Sequence, residues 1–306
     1  MQQTLTYKEP SKSLVILAFA AVYVIWGSTY VGITLAIKSI PPFLMAGLRF
    51  FAAGLLLYIW CIARGEKTPD IISVLKSSLA GTLMLFFGTT SLIWAEQYLA
   101  SGLSAVIVAC VPFWFVLFDK KHWKENFSDK FILIGLIIGF VGIILLFNGK
   151  GGLDLGNHDQ LIAFIVLSVG SMLWAAGSLY SKYSGAAGTT TIKASIQMMA
   201  AGAAGFIAMF MAGEQHHFVW SQVTIKSIDA VLYLIFFGSL IGYIAYIWLL
   251  SVRSPALVGT YAYVNPAVAM FLGWLLANER IVFIQVIALF VILFGVLLVN
   301  LSKYKK

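Results

Sequence analysis

Ten apolar runs, each long enough to cross a hydrocarbon core of about 30 Å at about 1.5 Å per helical residue, leave this chain few choices of fold. They occupy approximately residues 14–36, 42–62, 71–94, 100–118, 131–147, 160–181, 192–212, 228–250, 256–276 and 282–301. In lipid every backbone N–H and C=O needs a partner within the protein, so runs of this length are helices. The connections are short and carry turn residues: Pro41-Pro42, the glycines between Gly149 and Gly152, and Gly185 to Gly188. With 61% hydrophobic and 10% charged residues, a soluble domain is excluded. The expectation is an all-α integral membrane protein with ten transmembrane helices.

The formal charge of +8 would raise the question of nucleic acid in a soluble protein. Here the cations alternate from loop to loop. Fifteen lysines and arginines fall on one side of the ten-helix scheme and four on the other, with Arg49 left inside the second run. Positive residues in short loops stay cytoplasmic, so the bias places both termini in the cytoplasm and the protein in the inner (cell) membrane, with lipid and no nucleic acid as partners. Cys61 and Cys110 lie inside apolar runs, which points to neither a disulfide framework nor a structural zinc site. The four histidines lie in loops, and no H-E-x-x-H, G-x-S-x-G or phosphate-binding glycine loop occurs. Neither an enzyme nor a metal or cofactor is expected.

One design is written twice. At a shift of 148 residues Trp26 falls on Trp174, Ala52-Ala53-Gly54 on Ala200-Ala201-Gly202, and Arg49 on Gln197. Further on the shift becomes 154, and Gly88 meets Gly242, Ile93-Trp94 meets Ile247-Trp248, Pro112 meets Pro266 and Glu125 meets Glu279. Two units result, 14–148 and 161–300, each of five helices. An odd number turns the second copy upside down relative to the first. Inverted repeats around a central cavity are a mark of transporters, because one shape used twice can open a shared site to either side in turn. A membrane receptor or sensor, the reading of another class, would leave the duplication unexplained.

Polar chemistry inside the runs is sparse. Pro112 and Pro266 interrupt apolar helices; Pro266 has no N–H to give the Ala262 carbonyl, so a bend is expected at each. Arg49 lies about 10 Å into its helix at about 1.5 Å per residue, where a guanidinium costs at least about 2.5–3.5 kcal/mol unless it is paired or faces water. It either contacts substrate or braces neighbouring helices. Its expected partner is Glu96, at the end of the third run, in an ion pair forming part of an outer gate. No deep Asp, Glu or His is present, so proton coupling would run through Glu96, and a facilitator or exchanger is the other option. Tyr23, Trp26 and Tyr30 share one helical face by their spacing of 3 and 4. With Trp94, Trp174, Tyr243, Tyr246, Tyr263 and Asn265 they are candidate cavity wall, the alternative for any single ring being ordinary packing.

These residues resemble the EamA-type exporters of the drug/metabolite transporter superfamily over nearly the whole chain. The likeness is carried by Ile25-Trp26-Gly27-Ser28-Thr29-Tyr30, by Gly47-Leu48-Arg49-Phe50-Phe51-Ala52-Ala53-Gly54, and by Ala95-Glu96 leading to Ser101-Gly102-Leu103 and Pro112. In the second half it rests on Trp174-Ala175-Ala176-Gly177-Ser178, Ser254-Pro255-Ala256-Leu257, Tyr261-Ala262-Tyr263-Val264-Asn265-Pro266 and Asn278-Glu279-Arg280. The resemblance implies a ten-helix bundle whose cavity is lined mainly by helices 1, 3, 4, 6, 8 and 9, and efflux of small metabolites. Asn278 stands where relatives often have glycine, and the first helix lacks the glutamate of the related small multidrug transporters. The expected function is export of small amphipathic metabolites, such as amino acids or their derivatives, by alternating access. A nucleotide-sugar or sugar-phosphate exchanger of the same superfamily is the alternative, and monomer or homodimer is left open.

Overall fold

The computed structural model describes residues 11–145, 153–154 and 156–304; the expected loop glycines 149, 151 and 152 and the last lysines lie outside them. The described residues are helical, with no strand. Seven helices are long and apolar enough to cross a membrane: α1 Lys12–Ala36, α2 Pro42–Ala63, α3 Ile71–Ala95, α4 Ser101–Phe118, α6 His158–Tyr183, α7 Thr190–Met211 and α8 Ile225–Val252. Three shorter apolar stretches, Lys130–Gly142, Val264–Ala277 and Phe283–Gly295, belong to α5 Lys130–Leu145, α9 Tyr261–Ala277 and α10 Phe283–Tyr304. Large side chains such as Ile16, Ile72, Ile137, Ile207 and Phe290 are each more than 60% exposed, an apolar outside that suits lipid and not water.

The helix ends follow their local chemistry. Ser11, Asp70, Asn157, Thr189, Thr224 and Ser254 each accept a hydrogen bond from the backbone N–H of the second or third residue of the following helix. Other ends are capped from far along the chain. Glu214 accepts from the N–H groups of Phe43 and Leu44 at the start of α2, at 3.1 and 2.8 Å. Glu66, beyond the other end of α2, accepts from the hydroxyls of Thr189 and Thr191 at the start of α7. Glu279 does the same for α4, taking the Ser101 N–H at 2.9 Å and the Ser101 hydroxyl at 2.7 Å. It reaches there because Asn278 adopts a left-handed φ of 57°, which lets the chain leave α9 sharply. Asparagine tolerates that region better than other residues with a Cβ, and this accounts for its standing at a glycine position. Glu279→Ala is expected to lower stability by about 1–3 kcal/mol, since two buried donors of a helix end lose a charged acceptor. Thermal melting of the purified variant measures it, and an unchanged midpoint would count against the cap.

Glycines let the helices touch backbone to backbone. On α2, a Cβ at Gly54 would stand 2.6 Å from the Met199 amide nitrogen of α7; a Cβ at Gly202 of α7 would run into the amide nitrogen of Phe51. Small residues at such crossings replace the hydrophobic drive that lipid does not supply. α5 and α10 meet in the same way, where a Cβ at Gly295 would lie 2.6 Å from the Gly135 carbonyl oxygen.

The membrane helices are not uniform. In α3 the stretch Thr82–Thr90 is π-helix, and in α8 so is Leu234–Tyr243. α4 breaks between Ser101–Val108 and Val111–Phe118, directly ahead of Pro112. Before α9 a short helix, Pro255–Val258, is separated by Gly259-Thr260, and Pro266 itself sits inside the continuous helix that follows.

Candidate functional site

A cavity of about 70 Å3 lies between α1, α2, α3, α4, α6, α7, α8 and α9. Among the described residues, none that lines it comes from α5 or α10. Both π-helical stretches face it, through Leu85, Gly88 and Thr89 on one side and Gly238, Ser239 and Tyr243 on the other. The break in α4 also opens onto it, with Val108 and Val111 on either side of the interruption. Irregular helix at membrane depth is tolerated where it lines such a space, and π-helical turns frequently mark functional sites.

The wall is an aromatic cluster seated on glycines. A Cβ on Gly242 would stand 2.6 Å from Trp26 Nε1, and one on Gly88 would stand 3.1 Å from Trp174 Cβ. The two indoles meet edge to face with centroids 5.4 Å apart, and Trp26 also meets Tyr246 at 4.9 Å and Tyr261 at 5.1 Å. Trp26 Nε1 donates to the Gly238 carbonyl at 3.1 Å.

The buried polar groups divide into satisfied and unsatisfied sets. Tyr243 donates to Gln197 Oε1 at 2.8 Å, and Gln197 Nε2 donates to Ser181 at 2.9 Å. The hydroxyls of Tyr246 and Ser178 lie 2.7 Å apart. With its amide oriented to suit its neighbours, Asn265 donates to the carbonyls of Tyr261 and Tyr23, both at 3.1 Å, tying α9 to α1 one residue before Pro266. Tyr23 adds a second tie, its hydroxyl 2.6 Å from that of Thr260. Arg49 is different. It is 4% exposed, packs its guanidinium 4.9 Å from the Phe50 ring centroid and donates from Nε to Ser239 at 3.0 Å, while Nη1 has no partner.

Of the residues expected to form the site, the structure brings Trp26, Tyr30, Arg49, Trp174, Tyr243 and Asn265 to the cavity wall. Tyr23, Trp94, Tyr246 and Glu96 are not among its lining residues: Trp94 meets Tyr98 at a tilt, and Tyr246 packs against Trp26 and Trp174. The side chain of Tyr263 lies outside the described residues. The expected ion pair between Arg49 and Glu96 is not formed. Arg49 turns to Ser239, and Glu96 accepts from the Thr34 hydroxyl at 2.9 Å with its other oxygen unpartnered. Shared depth in two helices does not set the direction in which each side chain leaves its axis, and α1 supplies Thr34 nearer to hand. Sequence reasoning missed Thr29, Phe50, Thr89, Ser171 and Ser239 on the wall. For Gly88 and Gly242 the repeat itself was the signal.

The sequence matches the EamA-like transporter family over residues 13–148 and 161–301. It is 40% identical over 289 residues to the "Uncharacterized inner membrane transporter YedA" of Escherichia coli K12, covering 94% of this chain and 90% of that protein. At 25% identity it aligns with "Uncharacterized transporter YvbV" of Bacillus subtilis over 98% of this chain and 96% of that one. A 22% identical relative in Escherichia coli K12, named "Probable amino-acid metabolite efflux pump", is covered to 90% on both sides. A solved crystal structure at 17% identity superposes with a TM-score of 0.67 over 97% of this chain and all of that one, a likeness of fold. Matched by one family in both halves and by a close relative along nearly its whole length, the chain belongs to the EamA-like transporter family.

Proposed function

We propose that this protein exports small amphipathic metabolites, amino acids or their derivatives among them, by alternating access about the aromatic cavity. The observation that carries the reading is the pairing of contacts around that cavity. Trp26 lies over Gly242 and Trp174 over Gly88; Gly54 meets Met199 and Gly202 meets Phe51; Glu214 serves the start of α2 and Glu66 the start of α7. Each contact returns at the sequence shift of 148 or 154, with donor and recipient halves exchanged. This favours ten membrane-crossing helices in two inverted units, 14–148 and 161–300, rocking against each other around the shared cavity. The distribution of lysine and arginine favours both termini in the cytoplasm.

The closed polar layer of Tyr243, Gln197, Ser181, Tyr246 and Ser178 supports a shut gate at the end of the bundle that carries Lys182 and Lys193. At the position corresponding to Gln197 the first half has Arg49, whose donors are incompletely used, which favours that end as the one less tightly closed. Glu96, with one oxygen unpartnered, is the group on which proton coupling would fall.

A metabolite survey of the medium tests the reading. Cells carrying the protein are expected to accumulate a defined set of small compounds outside that empty-vector cells, matched for membrane protein content, do not. Identical media would remove the exporter reading.

A further inference from the structure

Two buried donors on the cavity wall are incompletely used. Arg49 Nη1 makes no hydrogen bond, and Trp174 Nε1 makes none of good geometry although the Tyr246 and Tyr261 hydroxyls stand near it; Arg49 is 4% and Trp174 8% exposed. Both side chains line the same cavity and belong to one contiguous cluster. Gly238 joins them: the Arg49 guanidinium packs against it, with Nη2 2.9 Å from where a Cβ would be, and its carbonyl accepts from Trp26, whose ring meets that of Trp174. An unpaired buried donor is costly, and a buried guanidinium without a counter-ion more so. Both need an acceptor, and the guanidinium needs a negative one. No carboxylate lines the cavity among the described residues; Glu96 acts on Arg49 only from a distance, bonding Thr34 through one oxygen and the guanidinium through neither.

Resting on the transporter reading above, we propose that the substrate is an organic monoanion, a carboxylate on a flat apolar body. Its carboxylate accepts hydrogen bonds from Arg49 Nη1 and Trp174 Nε1, while the body lies among the rings of Trp26, Tyr243 and Tyr261. Charge-assisted bonds to a guanidinium are the strong ones, and an indole N–H adds a neutral second donor to the same oxygen group. The wall offers a positive charge and no acidic side chain, so a matching amine is disfavoured and a zwitterion gains less than the simple acid. A diphosphate would ask one guanidinium to hold several charges, which makes the exchanger alternative poorly served.

Isothermal titration of the purified full-length protein in nanodiscs with phenylacetate, 2-phenylethanol and phenethylamine, three probes of similar body and different head charge, tests this. Phenylacetate is expected to bind about tenfold or more tighter than either of the others. Arg49→Gln is expected to erase the preference and Trp174→Phe, which keeps a ring and removes the N–H, to narrow it. Equal or weaker binding of phenylacetate, no binding of it, or a preference that survives Arg49→Gln would overturn the proposal. Should Arg49→Gln fail to yield folded protein, the ranking on the native protein decides alone. Secretion of only neutral or cationic compounds by the intact protein would leave the exporter standing and remove the anion site. Phenylacetate selectivity in a protein that moves no solute across proteoliposomes would do the reverse.

Discussion

Arg49→Met is expected to bring export down to the level of empty-vector cells while the purified variant melts no lower than the native protein. The two halves of that result come from one geometry. A guanidinium 4% exposed, bonded through Nε to Ser239 and facing no carboxylate, costs the folded state at least about 2.5–3.5 kcal/mol relative to a group at home in lipid. Methionine of similar length removes that cost, and the loss of one hydrogen bond to Ser239 takes back only about 1 kcal/mol. Transport loses the sole cation on the cavity wall among the described residues, worth about tenfold to a hundredfold in affinity for a ligand that pairs with it. Paired melting curves and efflux measurements at equal membrane content separate the cases. A variant that melts well below native would mean that Arg49 braces the helices; export retained at half or more would mean that it does neither job.

The second large effect belongs to a residue with no side chain. Gly81 stands where α3 passes from α-helix into its π-helical stretch, and a Cβ there would run into the carbonyl oxygen and Cα of Gln197 on α7. Those are backbone atoms of a helix held against α2 by Gly54 and Gly202, so nothing flexible can give way. Gln197 is also the centre of the buried layer with Tyr243 and Ser181. Gly81→Ala is expected to destabilise by about 3 kcal/mol or more, the upper part of the overpacking range, and to disturb that layer. Detergent-solubilised yield and melting midpoint report it. A midpoint within measurement error of native would show that α3 and α7 separate more readily than their backbone contact implies.

How much of this was legible beforehand depended on the kind of information. Seven of the ten apolar runs were, because lipid permits few structures and a helix announces its length in residues; the described apolar stretches of α5, α9 and α10 are shorter than the expected spans. The break ahead of Pro112 was, because proline removes a specific donor, but the same expectation failed at Pro266, which lies inside a continuous helix while the interruption falls earlier, at Gly259-Thr260. The two π-helical stretches were not: TLMLFFGTT and LIFFGSLIGY contain ordinary membrane-helix residues, and only surrounding packing selects the wider turn. Arg49 was recognised as a costly residue, but its partner was misjudged because the direction of a side chain about its helix depends on how the bundle is assembled. Nothing beside Glu214 or Glu279 in the sequence shows what either one caps. Their roles depend on helix starts 171 and 178 residues away, which no local window contains.

Those distances also govern the order in which the molecule can be made. The ribosome delivers about 5–20 residues per second, so the start of α2 waits roughly 10 to 30 s after its own synthesis before Glu214 exists. α4 waits as long for Glu279. During that interval the nascent first half holds exposed helix ends that water, lipid headgroups or an insertion chaperone must satisfy. A chain arrested before its second half is translated would therefore be an unfinished object and a natural target for membrane proteolysis. The starts of α2 and α4 are completed only once translation reaches the far end of the chain.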